Sequence, residues 1–101
     1  MHLVEILLPV TDNEGQRFDA AKYEKVRQDL SRRFGGITTF PRAPAHGTSE
    51  ARGEIVHDDI VVFEVMTDTL DCPWWDFYRR QLEQSFSQDE IVIRAVAITR
   101  L

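Results

Sequence analysis

The order of apolar segments predicts an α+β fold: a ferredoxin-like β-α-β-β-α-β sandwich, with an antiparallel or mixed four-stranded sheet and two helices on one face. Three observations carry this expectation. Leu3–Leu8, Ile60–Met66 and Ile91–Thr99 are short runs rich in Val and Ile, in which alternate side chains fall on opposite faces. Two stretches between them, Ala20–Phe34 and Pro73–Phe86, repeat apolar residues at three- and four-residue steps instead. At 101 residues the chain supports one domain (1–101) and hardly more.

The first strand runs from Leu3 to Leu8 and ends at Pro9, and Asp12-Asn13-Glu14-Gly15 is turn chemistry. Asp19 is placed to cap the first helix, with Phe18 and Tyr23 forming a hydrophobic staple across the cap. Tyr23, Val26, Leu30 and Phe34 make its apolar stripe, while Lys22, Lys25, Arg32 and Arg33 decorate the rest. Gly35-Gly36 stops it, because glycine adopts the left-handed conformation after a helix without cost. A short strand, Ile37–Phe40, is expected next, then an irregular loop from Pro41 to Gly53 and a short strand Glu54–His57 broken near Asp58-Asp59. Ile60–Met66 reads as a central strand. Asp71 or Cys72 caps the second helix, Pro73 suits its first turn, and Leu70 with Trp75 forms a second staple. Trp74, Tyr78, Leu82 and Phe86 make an i, i+4 stripe, and Asp76–Arg80 and Arg79–Glu83 are spaced as surface ion pairs.

In this arrangement Val4, Ile6, Leu8, Val61, Phe63, Val65, Ile91, Ile93, Ala95 and Ala97 face the helices and carry no charge, as a core face must. The opposite face holds Leu3, Glu5, Leu7, Ile60, Val62, Glu64, Met66, Val92, Arg94, Val96 and Ile98. A sheet face open to water alternates polar with apolar residues, and this one does not. The expected cover is a second copy, giving a homodimer of the dimeric α/β-barrel type; the Pro41–Gly53 loop or another protein are the alternatives. Glu5, Glu64 and Arg94 are the charged groups on that face. Arg94 can neutralise one carboxylate, and the other, beside a like charge in a dry setting, would be tuned towards neutral pH. They form either acid/base machinery (Glu64, Arg94) or an ion-pair network giving register to an interface.

Seventeen acidic against twelve basic residues give a net charge of −5, which argues against nucleic acid as partner. An RNA-binding version of the same element order would show aromatic residues and positive charge where this sheet shows Ile60, Val62, Glu64 and Met66. No apolar run reaches membrane-helix length, and the N-terminus lacks the basic and apolar regions of a signal peptide, so a cytoplasmic location is expected. His2, His46 and His57 lack metal-ligand spacing; single Cys72 reads as a capping or partly buried structural thiol. There is no Gly-rich phosphate loop, nucleophile elbow or Walker motif, so no cofactor is expected. Arg42, His46 and Arg52 concentrate positive charge in the loop and are candidates to close over a small anion. Trp74 and Trp75 with Tyr78 supply an aromatic wall, although adjacent helical residues diverge by about 100°, so one tryptophan belongs at a rim.

Phe34-Gly35-Gly36-Ile37-Thr38, Arg42-Ala43-Pro44, Asp58–Met66, Trp74-Trp75, Tyr78-Arg79 and Leu82-Glu83 together resemble a family of small uncharacterised bacterial proteins with a ferredoxin-like domain. Members of that family often carry a tryptophan after the loop glycine, whereas Gly47 here precedes Thr48-Ser49-Glu50. The resemblance implies the fold and assigns no activity. Two functions therefore stand: a homodimeric binding domain without catalysis, or a small cofactor-independent isomerase- or oxygenase-like enzyme. The second would act on a small anionic or aromatic molecule. Its site would use Glu64 and Arg94, with Glu5, Arg42, His46, Trp74 and Tyr78 binding the ligand.

Overall fold

A computed structural model describes the backbone of residues 1–35, 38–51 and 54–101, and the side chains of residues 1–35 and 60–101. The elements follow the order β1 (His2–Pro9), α1 (Ala20–Phe34), β2 (Thr38–Ala51), β3 (Glu54–Thr67), α2 (Cys72–Ser85) and β4 (Val92–Ala97). The strands pair in the order β2-β3-β1-β4, and every pair is antiparallel. The architecture is α+β, with both helices against one face of an antiparallel sheet.

That face is the one the alternation pattern selects, except that Ala95 and Ala97 of β4, expected in it, are exposed. Val4, Ile6 and Leu8 from β1 and Phe63 and Val65 from β3 meet Val26 and Leu30 of α1 and Trp75, Tyr78 and Leu82 of α2 in one buried cluster. Burying such side chains is the main source of stability, roughly 1.5–3 kcal/mol for each large one. Phe86, just past α2, closes one end: its ring meets Phe18 edge-on at 5.0 Å and tilts against Tyr23 at 5.5 Å. The Phe18–Tyr23 staple thus anchors the start of α1 to the end of α2.

The helix ends follow local chemistry. The Asp19 carboxylate accepts the Ala21 N–H at 3.0 Å, and Asp71 accepts the Trp74 N–H at 3.2 Å. Gly35, with φ of +78°, lets its own N–H reach back to the Ser31 carbonyl. After α2 the chain makes the same left-handed step on a serine, Ser87 with φ of +51°. There the Gln88 N–H donates to the Glu83 carbonyl and the Ser87 N–H to the Gln84 carbonyl, the crossed bonds of a Schellman ending. The Glu83 carboxylate, paired with Arg79 at 3.0 Å, also accepts the Ile91 N–H at 3.0 Å. Ile91 therefore lies outside the ladder, and β4 is shorter than the expected Ile91–Thr99.

Two sequence expectations are corrected. The expected loop from Pro41 is instead strand as far as Ala51, and the expected break at Asp58-Asp59 is absent, because β3 is continuous from Glu54. The irregularity is absorbed as a bulge. Between the pairs Arg42–Ile60 and Gly47–Asp58, β2 carries four residues (43–46) where β3 carries one. Pro41 and Pro44 are tolerated because β2 is an edge strand, where missing N–H donors cost little. Residues 52–53, including Arg52, lie outside the described residues.

Candidate functional site

The antiparallel register places the three charged residues of the outer face in one row. Glu64 of β3 stands opposite Glu5 of β1, and Glu5 stands opposite Arg94 of β4. Arg94 Nε donates to Glu5 Oε1 at 3.3 Å. The Glu5 side chain is 12% exposed and that of Arg94 49%. Glu64 is half-buried and enters no ion pair among the described residues. The pair is thus half in water: Glu5 depends on Arg94 for its counter-charge, while most of the guanidinium fork stays open.

Rows of apolar residues flank this charged row. Leu3 lies between Met66 and Val96, and Leu7 between Val62 and Val92. Their exposure corrects the expectation of a uniformly open face. Val62 is fully buried and Glu5 nearly so within a single chain. Met66, Val96 and Val92 remain 51%, 49% and 46% exposed. The uncovered apolar surface therefore runs from Met66 near the end of β3 to Val92 and Val96 on β4, around Arg94.

On the other side of the sheet, a cleft of about 240 Å³ opens between α2 and β4. Its apolar lining is Val4, Leu70, Trp75, Ile93 and Ala95, with Cys72, Asp76 and Arg79 also around it, and Arg94 of the edge strand reaches it too. Cys72 is exposed and Asp71 is the cap of α2, so the thiol is neither the capping nor the partly buried group expected.

Trp74 and Tyr78 belong to a different place again. The helix turns Trp75 inward and leaves Trp74 half-buried at the rim, so Trp75 takes the place of Trp74 in the expected stripe, while Tyr78, Leu82 and Phe86 are buried as expected. Trp74 stacks on Tyr78 at 5.0 Å, and the Arg33 guanidinium lies 4.2 Å from the Trp74 ring centre. The Tyr78 hydroxyl points to the Asp29 carboxylate at 3.5 Å. Burial pushes the Tyr78 phenol pKa upward, and the negative charge of Asp29 adds to it. Burial likewise raises Tyr23, whose hydroxyl donates to the Pro9 carbonyl.

The structure therefore brings Glu5, Glu64 and Arg94 together and sets Trp74 and Tyr78 on the opposite side of the sheet. Arg42 and His46 lie on β2, Arg42 opposite Ile60 and His46 within the bulge; their side chains are outside the described residues. Sequence reading missed Lys25, Arg32 and Arg33 as neighbours of the aromatic wall, since helical lysines and arginines look like ordinary solvated surface. The one available signal was the position of Arg32 and Arg33 in the last turn of α1, beside Phe34 of its apolar stripe. Among the described residues no three His, Cys, Asp or Glu side chains gather as a metal site, and no helix is long and apolar enough to cross a membrane.

No family model matches the chain, and no curated protein matches it. Among solved structures, a phage SAM lyase in complex with S-methyl-5′-thioadenosine has a similar fold: TM-score 0.60 over 94% of this chain and 79% of the lyase, at 11% sequence identity.

Proposed function

We propose that the chain is a self-associating binding domain of the ferredoxin-like, dimeric α/β-barrel kind, in which a second copy covers the outer sheet face over β3, β1 and β4. The strand order β2-β3-β1-β4 and the one-sided helix pair support the fold assignment.

One observation carries the choice of a second copy: set against its own reverse, the charged row brings a glutamate opposite an arginine at both ends. Along the sheet it reads Glu64, Glu5, Arg94. A two-fold axis lying between the two faces, parallel to the strands and over Glu5, sets each Arg94, with its open fork, towards Glu64 of the other copy, which enters no ion pair among the described residues. The exposed Met66, Val92 and Val96 then surround that contact and exclude water from it. Glu5 and Arg94 are register-setting groups in this reading, and no cofactor is needed.

Charge reversal tests it. Arg94→Glu should dissociate the assembly, because two rows of three carboxylates would face one another. The double variant Arg94→Glu with Glu64→Arg should restore it. Dissociation by the first without rescue by the second would refute the pairing, and no dissociation by either would refute the interface.

A second reading is favoured by the likeness to the SAM lyase, an enzyme bound to a small purine thioether. In it the chain is a small cofactor-independent enzyme whose substrate enters the α2–β4 cleft beside Trp75. Saturable quenching of tryptophan emission by S-methyl-5′-thioadenosine, lost on filling the cleft with Ala95→Phe, would support it. A flat titration would remove it.

A further inference from the structure

The furrow between α1 and α2, on the solvent side of the helix layer, inverts the charge of the molecule. The chain carries a net −5. Here Lys25, Arg32 and Arg33 converge with one carboxylate, Asp29, around a depression of about 390 Å³ that also takes in Phe77 and Gln81. Lys25 is spent on Asp29 at 3.2 Å. Arg32 is exposed and enters no ion pair among the described residues. Arg33 is held twice: one terminal nitrogen bonds Asp71 at 3.0 Å and the guanidinium plane lies on Trp74. That fixes the fork in place while leaving other N–H donors open, so little entropy remains to be lost when an anion binds.

Phe77 adds an apolar counterpart. It is 57% exposed on α2, beside Tyr78, and takes no part in the core cluster. An exposed aromatic ring lining the same depression as Arg32 and the donors Arg33 keeps free of Asp71 suits a ligand that is flat at one end and anionic at the other. We propose that this furrow binds a small planar anion, an aromatic carboxylate or aryl phosphate, with its ring against Phe77 and its charge between Arg32 and Arg33. The site is independent of the outer sheet face and of the α2–β4 cleft, and it stands or falls apart from both.

Phenyl phosphate is the probe, followed by amide chemical-shift mapping and tryptophan emission. Saturable shifts should centre on Arg32–Phe34 and Trp74–Tyr78. Arg32→Gln should weaken binding about fivefold through loss of one exposed charge contact, and Phe77→Ser by a similar factor through loss of ring stacking. Both positions are exposed, so both variants should retain the native amide spectrum. Inorganic phosphate should bind more weakly than phenyl phosphate, and benzyl alcohol should shift nothing. Equal affinity for wild type and Arg32→Gln, shifts centred elsewhere, or inorganic phosphate binding as tightly as the aryl ester would each overturn the proposal.

Discussion

The charged row can be tested by a double-mutant cycle on Arg94 and Glu5. Arg94→Ala removes the only ion-pair partner Glu5 has among the described residues and leaves it opposite Glu64. Fully exposed pairs contribute about 0.2–1 kcal/mol, whereas removing one partner of a buried pair costs about 3–5 kcal/mol. With one partner 12% and the other 49% exposed, the Arg94→Ala cost should fall between these, near 2 kcal/mol. For a chain of 101 residues that corresponds to a fall in Tm of about 8–16 °C. Glu5→Gln loses the charge-assisted bond but also relieves the repulsion from Glu64, so it should cost about 1 kcal/mol or less. The double variant should then be more stable than the sum of the single costs by about 1 kcal/mol, since the carboxylate that suffers from losing Arg94 is gone. The assay is urea unfolding by circular dichroism, with all four proteins at one protein concentration dilute enough to hold single copies. A neutral Arg94→Ala together with a coupling below about 0.3 kcal/mol would show that the pair is not structural.

Further outcomes follow from the core, the caps and the buried phenols. Phe86→Ala should cost about 3–5 kcal/mol in urea unfolding, because the fully buried ring also holds Phe18 and Tyr23; a loss under 1 kcal/mol would contradict that packing. Ser87→Gly should stabilise by about 0.5–1 kcal/mol, since glycine takes the φ of +51° without the cost a side chain imposes. Both tyrosines have raised pKa values, and the chain has only two. For such groups the protonated form is the one the fold favours. Their contribution is fully present below the unfolded value near 10 and is lost as pH climbs above it. Phenolate absorbance should therefore rise only well above pH 10 and together with unfolding; a half-rise near pH 10 in folded protein would refute it. Val96→Asp should weaken self-association at least about thirtyfold, since burying the exposed half of Val96 is worth about 1 kcal/mol in each copy.

Much of this architecture is written in local chemistry. The bounds of α1 are legible because Asp19 caps one end, Gly35 turns the other left-handed, and the Phe18–Tyr23 staple fixes the entry angle. The inward face of the sheet is legible because strand alternation is strict, and any slip by one residue would have put Glu5 and Glu64 in the core. What local chemistry does not carry is which surfaces meet. The prolines and polar residues of 41–51 look like loop, and only edge position and a four-against-one bulge make them strand. Val62 looks as exposed as Val96 from the alternation alone, yet one is buried and the other half in water. The same holds for the candidate sites. Glu5, Glu64 and Arg94 could be grouped, because strand order and register follow from the element order. The approach of Arg33 to Trp74 joins two helices about forty residues apart, and no spacing rule reports which helical faces adjoin.

Sedimentation equilibrium of the unmodified chain across low to high micromolar concentrations tests the central claim most directly. A surface of half-exposed Met66, Val92 and Val96 around an open arginine fork, with Glu64 in no ion pair among the described residues, predicts a mass rising to twice 11.7 kDa. A mass that stays at 11.7 kDa over the whole range, with the native amide spectrum intact, would contradict it.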